Sequence, residues 1–434
     1  MTVDGSGDAP TIQAGIDSAA VGDTVLVHDG TYTGPGNKEL EFHGKNIVLK
    51  SASGPASTVI DCEETGRGIW LHGGEGYEAM VEGFTIRNGV AGNGGGIRVD
   101  DQATIRECWI LDNTAYNSGG GIIVWSEEVR IDECLIVGNS CPQVGGGICG
   151  LSPSVIYVRR SVVSSNTGRF GGGIGCYGDP GYYLRVDSCL VAGNLSTLHA
   201  GGLYAGYASE TGHVDVYNST VAGNRASEMG GGIWLHEGIA MFQRSIIWGN
   251  CALWGAQGVV EAPWADFLWC DVDASEVLGN AIFWECIDTD PLFCEPMDCS
   301  GAPRAEGDYS LDAASPCLPA QTGGYLIGAY GQGCDIYTSV ALGDVISQPG
   351  LAISPNPSGG ALTIRYGRAA TGPSTIQVFD IAGRLVRVLA APGREGNALW
   401  DGKDASGRDV GPGVYFVRVS DRAFTDTKRV ILVR

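Results

Sequence analysis

The amino-acid sequence predicts an all-β fold, in which a right-handed parallel β-solenoid is followed by a small β-sandwich. The first observation is an apolar phrase that ends on asparagine seven times, at spacings of 25, 26, 27, 28, 30 and 26 residues. These residues are Asn88, Asn113, Asn139, Asn166, Asn194, Asn224 and Asn250. The second is a glycine run that recurs in step with the first, before Ile97, Ile122, Ile148, Ile174, Leu203 and Ile233. Two markers in register indicate one repeating structural unit.

Each unit of about 26 residues is predicted to hold three short strands. Short alternating runs rich in Val and Ile favour strand over helix. The residue five places before each asparagine is small, from Gly83 to Ser245, and we expect it to face inward. The residue eight places before is apolar, as at Ile105, although strict alternation would turn it outward, so the chain must bend between the two. Equivalent strands would stack about 4.8 Å apart in three parallel ladders, and the general right-handedness of crossovers sets the hand.

The marker residues have physical roles in this interpretation. Asparagine is expected at the corner because it tolerates the left-handed conformation, and stacked asparagine side chains can hydrogen-bond along the ladder. Glycines allow a tight corner and close backbone approach. Small Cys108, Cys134 and Cys189 are predicted to be buried thiols in a narrow interior. An irregular stretch has the character of a disulfide-stapled secreted region, with the pairing left open. Its cysteines are Cys270, Cys286, Cys294, Cys299, Cys317 and Cys334.

The N-terminal segment "APTIQAGIDSAAVGDTVLVHDGTY" resembles the start of pectate-lyase-like right-handed β-helices. The resemblance implies a short amphipathic helix that caps the open end of the core, and in this sequence Ile12 and Ile16 would lie on one face of that helix with Thr11 as N-cap. The glycine and asparagine phrases match the repeats of that superfamily across roughly residues 1–335. The superfamily includes lyases, hydrolases, adhesins and tail spikes, so the resemblance implies the fold and leaves the activity open.

After a linker at residues 336–350, residues 351–434 show alternating strands broken by turn signals, which is typical of a small Ig-like β-sandwich. The motifs Pro355-Asn356-Pro357, Trp400-Asp401-Gly402 and Gly413-Val414-Tyr415 resemble the C-terminal sorting domain of the type IX secretion system, which is related to the Ig-like domain of the flagellar hook-capping protein. The resemblance implies contact with the secretion machinery and an extracellular or outer-surface location on a bacterium. No basic or apolar leader follows Met1, and we expect that the exported precursor carries a signal peptide ahead of this sequence.

The net charge of −22 is unevenly distributed. Residues 1–349 hold 15 Lys and Arg against 42 Asp and Glu, a net of −27, and residues 350–434 hold 12 against 7, a net of +5. An acidic body should repel nucleic acids and anionic membranes, so neither is an expected partner. The sequence has no apolar run of about 18 residues, and no transmembrane segment is predicted.

Variation in loop length gives the functional hypothesis, because insertions concentrate on the face that binds. The chain between the glycine marker and the next inward apolar residue varies in length, and its longest loops are rich in aromatic residues. The candidate ligand-binding residues are Tyr177, Tyr182, Tyr183, Tyr204, Tyr207, Trp234 and His236. Aromatic faces with scattered polar groups suit an extracellular polysaccharide or a surface protein. The alternative is ordinary aromatic packing beneath long loops.

No residues form a catalytic constellation, so no catalytic residue is assigned. If the chain is an enzyme, the fold favours a polysaccharide lyase or a glycoside hydrolase, which would need facing carboxyl groups or a base near calcium ligands. No metal ligand set and no cofactor are predicted; calcium stays open because residues 3–8 and 270–276 carry incomplete sets of oxygen ligands. A third hypothesis is a structural subunit of an extracellular layer or filament, formed by self-association of solenoid ends or edges.

Overall fold

The computed structural model describes most of the chain. The described residues are 2, 5, 7–125, 128–179, 181–206, 212–305, 307–334, 350–354, 361–367, 374–380, 384–391, 395–420 and 425–432. The predicted linker at 336–350 lies outside them, apart from Gly350. The chain divides into two compact units. One comprises Met1–Pro291, Asp298–Arg304 and Pro316–Tyr330, and the other Leu292–Met297, Ala305–Ser315 and Gly331–Arg434.

The first unit is a right-handed β-solenoid of about 12 turns, which confirms the predicted fold. Three parallel ladders run along it. The glycine ladder follows the glycine runs and comprises Leu40–Glu41, Ile69–Leu71, Ile97–Val99, Ile122–Val124, Ile148–Leu151, Ile174–Tyr177, Leu203–Gly206, Ile233–Leu235 and the first part of Gly258–Leu268. The central ladder comprises Thr24–Val27, Val48–Ser51, Met80–Glu82, Ala103–Arg106, Val129–Asp132, Val155–Arg159, Tyr183–Asp187, His213–Tyr217, Ile239–Gln243 and the last part of Gly258–Leu268. Val277–Trp284 pairs with both parts of Gly258–Leu268.

The asparagine ladder is the third. It comprises Gly30–Tyr32, Thr58–Asp61, Thr85–Arg87, Trp109–Leu111, Leu135–Val137, Val162–Ser164, Leu190–Ala192, Thr220–Ala222, Ile246–Trp248 and Asp271–Val272. A short extra ladder beyond the asparagines was not predicted. It comprises Val90–Ala91 with Thr114–Ala115, and then Thr167–Phe170, Leu195–His199 and Arg225–Ala226.

A short helix, Ile12–Ser18, covers apolar residues at the N-terminal end of the core. The Thr11 side chain accepts a hydrogen bond from the backbone N–H of Ala14 at 3.2 Å, which confirms it as the N-cap. Ile12 and Ile16 lie one turn apart on the same face, and both are fully buried. They belong to the same core as the first strand of the central ladder, as the sequence predicted.

The bend between the central and asparagine ladders has a local cause. The residue six places before each asparagine from Asn113 to Asn250 adopts a positive φ, as at Glu107, with φ of 53°, and Glu133, with φ of 57°. This left-handed residue reverses the alternation, so the small residue after it and the apolar residue two places before it both face inward. Cys108 and Ile105 are accordingly fully buried. The predicted bend is therefore present.

The asparagines from Asn113 to Asn250 form a continuous buried ladder. The Oδ1 atom of Asn139 accepts hydrogen bonds from the backbone N–H and from the Nδ2 group of Asn113, both at 3.0 Å. Its Nδ2 group donates to the carbonyl of Ile110 at 2.9 Å. The same pattern repeats at each coil and ends where Asn250 Nδ2 donates to Gln257 Oε1 at 2.9 Å. The predicted stacking of asparagines is present in these six.

Two sequence-based expectations about the asparagines are wrong. The left-handed residue is the one before the asparagine, such as Asp112 or Gly138, because the asparagine itself extends inward to bond its neighbours. Asn88 lies one place earlier in its coil than the other six, since Ile86 pairs with Ile110. Asn88 therefore takes the left-handed place, with φ of 56°. The same offset gives Gly83 a positive φ in the position of Glu107. In that coil the inward position equivalent to Cys108 is therefore occupied by Phe84, which is fully buried.

Within the first unit, the segment Pro316–Tyr330 packs back onto the coils. The backbone N–H of Gly328 donates to the carbonyl of Arg244 at 2.8 Å, and that of Ala329 donates to Thr220 Oγ1 at 3.0 Å. Two disulfides are present, Cys251–Cys299 and Cys294–Cys334. Cys251 was not among the cysteines expected to form disulfides. Cys270 and Cys286 of that predicted group are thiols, and Cys317, also of that group, donates a hydrogen bond to Asp271 Oδ2 at 2.9 Å.

The second unit contains two β-structures. A small sheet comprises Phe293–Glu295, Asp308–Asp312 and Gln332–Cys334. The predicted sandwich pairs a three-stranded sheet, Gly350–Ser354, Leu362–Gly367 and Glu395–Trp400, with a four-stranded sheet, Leu385–Ala391, Ser374–Asp380, Gly413–Ser420 and Thr425–Leu432. Both sheets contribute to one core, in which the fully buried Trp400 contacts the ring of Tyr415 at a centroid distance of 5.1 Å.

We predict that Asn166→Ala destabilises the solenoid by about 2 to 4 kcal/mol. The substitution leaves several buried hydrogen-bonding groups on Asn139, Ile136 and Asn194 without a partner. Urea unfolding followed by circular dichroism measures the loss. Asn88→Gly is the matched control, because glycine accepts the positive φ at that place and removes a single hydrogen bond, from Asn88 Nδ2 to Asp61 Oδ1, so its effect should stay within about 1 kcal/mol. Equal losses in both variants would contradict the role assigned to the ladder.

A second prediction concerns pH. Asp271 is fully buried beside the Cys317 thiol, which lies 2.9 Å from its Oδ2 atom, and burial raises the pKa of Asp271 from 3.8 to about 7. Between these two values the folded chain keeps a proton that the unfolded chain releases, so stability should fall as pH rises from 4 to 7, by at most about 4 kcal/mol. Urea unfolding at pH 4.5 and 7.5 should show this fall in the parent chain and a smaller fall in Asp271→Asn. An identical pH dependence in the two proteins would refute it.

Candidate functional site

One column of outward residues on the glycine ladder is buried although it points away from the core. Because the strands pair in register, the residue after each marker aligns with its equivalents in the neighbouring coils. The column contains Ile123, Cys149, Gly175, Tyr204, Trp234 and Val259. All of these residues are buried and, apart from Gly175, they belong to an apolar cluster separate from the solenoid core.

A second column covers the first. It contains Val144, Phe170, His199, Met229 and Trp254, which are aligned by backbone bridges between successive coils. Gly175 permits the close approach of the two columns, because a Cβ atom there would lie 2.5 Å from Cγ1 of Val144. The column becomes more exposed toward its end, where the Trp254 side chain is 63% exposed.

Five rings from the two columns and their neighbour form what we term the aromatic cluster: Phe170, His199, Tyr204, Trp234 and His236. The ring of Trp234 lies at its centre, with centroid distances of 4.4 Å to His199, 5.3 Å to Tyr204, 5.2 Å to His236 and 6.4 Å to Phe170. These separations fall in the range of favourable aromatic packing. His236 is further held by a 2.6 Å contact between its Nδ1 atom and Glu261 Oε2.

Two buried polar atoms in the aromatic cluster have no hydrogen-bond partner among the described residues. They are Nε1 of Trp234 and Nδ1 of His199. Burial lowers the pKa of His199, so its imidazole is neutral near pH 7 and has one N–H donor and one lone pair. Buried groups of this kind normally have partners. Here the two unpartnered atoms belong to adjacent rings, whose centroids are 4.4 Å apart.

The structure brings four of the seven candidate residues together. Tyr204, Trp234 and His236 belong to the aromatic cluster, and the half-buried Tyr177 packs against the same apolar cluster. The other three candidates lie elsewhere. Tyr182 is buried in the solenoid core, Tyr183 lies on the central ladder, and Tyr207 is outside the described residues.

Tyr183 belongs to a second polar group, on the outer side of the central ladder. Its hydroxyl donates to Asp215 Oδ2 at 2.7 Å, and His213 Nε2 lies 2.9 Å from Asp215 Oδ1. Asp215 is only 6% exposed. Its Oδ2 atom bonds to a side chain of the neighbouring strand, and its Oδ1 atom contacts His213 of its own strand. Burial and the Asp215 carboxylate raise the pKa of Tyr183 to about 12. Arg185 is the backbone register partner of Asp215 on the neighbouring strand, and its guanidinium lies 4.6 Å from the ring centroid of Tyr217.

Comparison with known protein families agrees with this architecture. The family described as right handed beta helix region matches residues 67–254, and the family described as secretion system C-terminal sorting domain matches residues 352–433. The chain is a parallel β-helix protein with a type IX sorting tail. The tail indicates export to the cell surface or the extracellular space and implies interaction with the secretion machinery. A search of curated proteins found no match to this β-helix protein.

No helix in the described part of the β-helix protein has the length and apolar character needed to cross a membrane. One group of possible metal ligands occurs in the same part, formed by Cys251, Asp298 and Cys299. Its two sulfur atoms are bonded to each other as a disulfide, so they do not offer thiolate ligands to a metal ion.

The sequence pattern of the β-helix protein did not reveal the second column. Phe170, His199, Met229 and Trp254 lie on an edge whose loops are uniform in length, so variation in loop length gave no signal there. The signal that could have found them is the residue one or two places before each glycine run, which is Val144, Phe170, His199, Met229 or Trp254 in successive coils. Alignment of these positions down one column makes them neighbours in space.

Proposed function

We propose that this exported β-helix protein binds an extracellular glycan at the aromatic cluster. Sugar rings present apolar faces that stack on aromatic side chains, and their hydroxyl groups need hydrogen-bond donors and acceptors nearby. The aromatic cluster offers both kinds of contact. Tyr177 and Trp125 flank it as half-buried rings that a ligand can reach.

The unpartnered nitrogens of Trp234 and His199 carry the proposal. Their rings lie 4.4 Å apart, and both atoms are buried in a mainly apolar surrounding. An unsatisfied buried group of this kind costs about 1 to 3 kcal/mol, which a bridging sugar hydroxyl would recover. The neutral state of the His199 imidazole suits a hydroxyl partner better than a carboxylate partner. The proposal therefore favours neutral sugars over uronic acids.

A surface protein is the alternative ligand for the same face. Leu253 and Trp254 are strongly exposed at the end of the second column, and exposed aromatic side chains are frequent anchors of protein interfaces. A protein ligand would depend on these two residues, whereas the proposed sugar hydroxyl would depend on the nitrogens of His199 and Trp234.

The test uses a glycan array that carries neutral and uronic-acid polysaccharides, probed with the purified chain and then quantified by calorimetry on the strongest hit. We predict that His199→Phe weakens binding at least about tenfold, since it removes Nδ1 and keeps a ring of similar size. The same variant should change the free energy of unfolding by less than about 1 kcal/mol, because it removes an unsatisfied polar atom from a buried site.

Tyr77→Ala is the control, because Tyr77 is an exposed ring that lies outside the apolar cluster of this face. Its affinity should equal that of the parent chain. Absence of any glycan bound by the parent chain, or equal affinity in His199→Phe, would refute glycan binding at the aromatic cluster. Loss of binding to a protein ligand in Trp254→Ala, with no glycan bound, would support the alternative.

The group of Tyr183, Asp215 and His213 favours a second candidate function, polysaccharide cleavage. A buried carboxylate that bonds a histidine fixes the ring orientation and leaves the other ring nitrogen, Nδ1, as a base. Arg185 lies beside this group, and its guanidinium forms an ion pair with Asp187 at 3.3 Å. If it exchanged that partner for a substrate carboxylate, it would provide the neutralisation that proton abstraction from a uronic acid requires. Tyr183, with its raised pKa, stays protonated near pH 7.

Cleavage is tested by incubating the chain with polyuronides, with and without calcium, and recording the absorbance of unsaturated products. If the chain is a lyase, Asp215→Asn should reduce the rate at least about a hundredfold, because the histidine loses its orienting carboxylate. His28→Asn serves as the control for loss of an unrelated histidine. A parent chain without product absorbance on any polyuronide would exclude this candidate for those substrates.

A further inference from the structure

The small-residue column of the solenoid ends in two cysteines. This column lies inside the core and contains Cys108, Cys134, Ser161, Cys189, Ser219, Ser245, Cys270 and Cys286 in coil order. Leu268 pairs with Trp284, so Cys270 and Cys286 occupy equivalent places two residues later on neighbouring strands. Neighbouring strands lie about 4.8 Å apart. This separation is within the Cα distance that a disulfide spans.

The structure assigns Cys270 and Cys286 as a dithiol that the exported protein oxidises to a third disulfide. Cys270 Sγ lies 3.5 Å from the carbonyl oxygen of Leu268, and Cys286 Sγ lies 3.2 Å from that of the adjacent Phe267. The side chain of Cys286 therefore points into the column toward Cys270. Export to the cell surface or the extracellular space brings the pair out of the reducing cytosol.

Solvent exposure distinguishes Cys270 and Cys286 from Cys108 and Cys134, which are neighbours in the same column. Cys108 and Cys134 also stand in consecutive coils of the same column, but both are buried beneath coils on either side. Cys286 is half-buried because it lies on the last coil. The neighbouring Cys270 thiol lowers the pKa of Cys286, whereas burial raises the pKa of Cys108 to about 12. Of these two pairs in the described chain, the terminal one therefore combines a neighbouring thiol with partial exposure.

The reaction is thiol–disulfide exchange with a disulfide-bearing oxidant, either an oxidoreductase or a small disulfide. The Cys286 thiolate attacks one sulfur of the oxidant, whose S–S bond breaks and releases one thiolate. The Cys270 thiol transfers its proton to that thiolate, and its sulfur then attacks Cys286 Sγ and displaces the second thiolate. Cys270 and Cys286 together lose two electrons, and the oxidant gains them and ends as two thiols.

The disulfide would close the last coil. Val277–Trp284 pairs with Gly258–Leu268 on one side only among the described residues, and its Leu278, Ile282 and Trp284 side chains are exposed. A strand with one paired edge opens more readily than an internal strand. The covalent link between Cys270 and Cys286 would hold it to the preceding coil.

The experiment uses the full chain, reduced, and then incubated with oxidised glutathione at pH 7.5. Free thiols are alkylated under denaturing conditions, and the peptides are mapped by mass spectrometry. A cross-linked peptide that joins Cys270 to Cys286 is expected, with Cys108 and Cys134 alkylated in the same sample. Recovery of Cys270 and Cys286 as alkylated thiols, while Cys294 and Cys334 are joined, would overturn the assignment.

Reactivity gives a second readout that does not need the disulfide to form. In the reduced native chain, iodoacetamide should label Cys286 at least about a hundredfold faster than Cys108 or Cys134. Cys286→Ser should fold, because serine occupies the same column at Ser161, Ser219 and Ser245. In that variant, hydrogen exchange over Val277–Trp284 should be at least about tenfold faster than in the oxidised parent chain. Equal labelling of the three cysteines, or equal exchange in variant and parent, would contradict the inference.

Discussion

The buried column of asparagines is the constraint on which the solenoid depends. Each amide bonds the backbone of one neighbouring coil and the amide of the next, in a region without access to water. A coil that failed to return its asparagine to this position would leave several polar groups unpaired, at a cost that the surrounding apolar contacts could not easily offset. Coils from Asn113 to Asn250 vary from 26 to 30 residues in length, and yet every amide in this series meets its partner.

This constraint also explains how a binding face can arise on the exterior. Fixed register turns each outward position into a straight column, so residues far apart in sequence become neighbours without any contribution from loops. Tyr204 and Trp234 are thirty residues apart in the chain and have their rings in contact. Chemistry on such a surface is built by repetition, and the aromatic cluster and the Tyr183, Asp215 and His213 group both follow this rule.

The fold was predictable because the repeat of about 26 residues is marked by residue types that each have one physical role. Glycine at a corner and a small residue in the interior have few substitutes, so spacing alone identified the ladders, and a family resemblance added the capping helix at Thr11. The conformation of the asparagines was not predictable in the same way, because left-handed backbone and buried hydrogen bonding both favour this residue type, and only coordinates distinguish Asn88 from Asn113. The second column was missed for a related reason. Phe170 and His199 precede glycine runs, and these runs were interpreted only as corners. Tyr182 was assigned to a loop, and the sequence has no signal that turns it into the core.

Unequal corners have a practical consequence. Between the glycine and central ladders, residues 100–102 make one corner and residues 72–79 make another, and the strands on both sides stay paired in register. The corner thus tolerates added length without a penalty inside the coil. A foreign peptide inserted there would leave the asparagine column intact, and the sorting tail would carry it outside the cell. The chain is in this sense a natural scaffold for surface display, with one attachment point per turn.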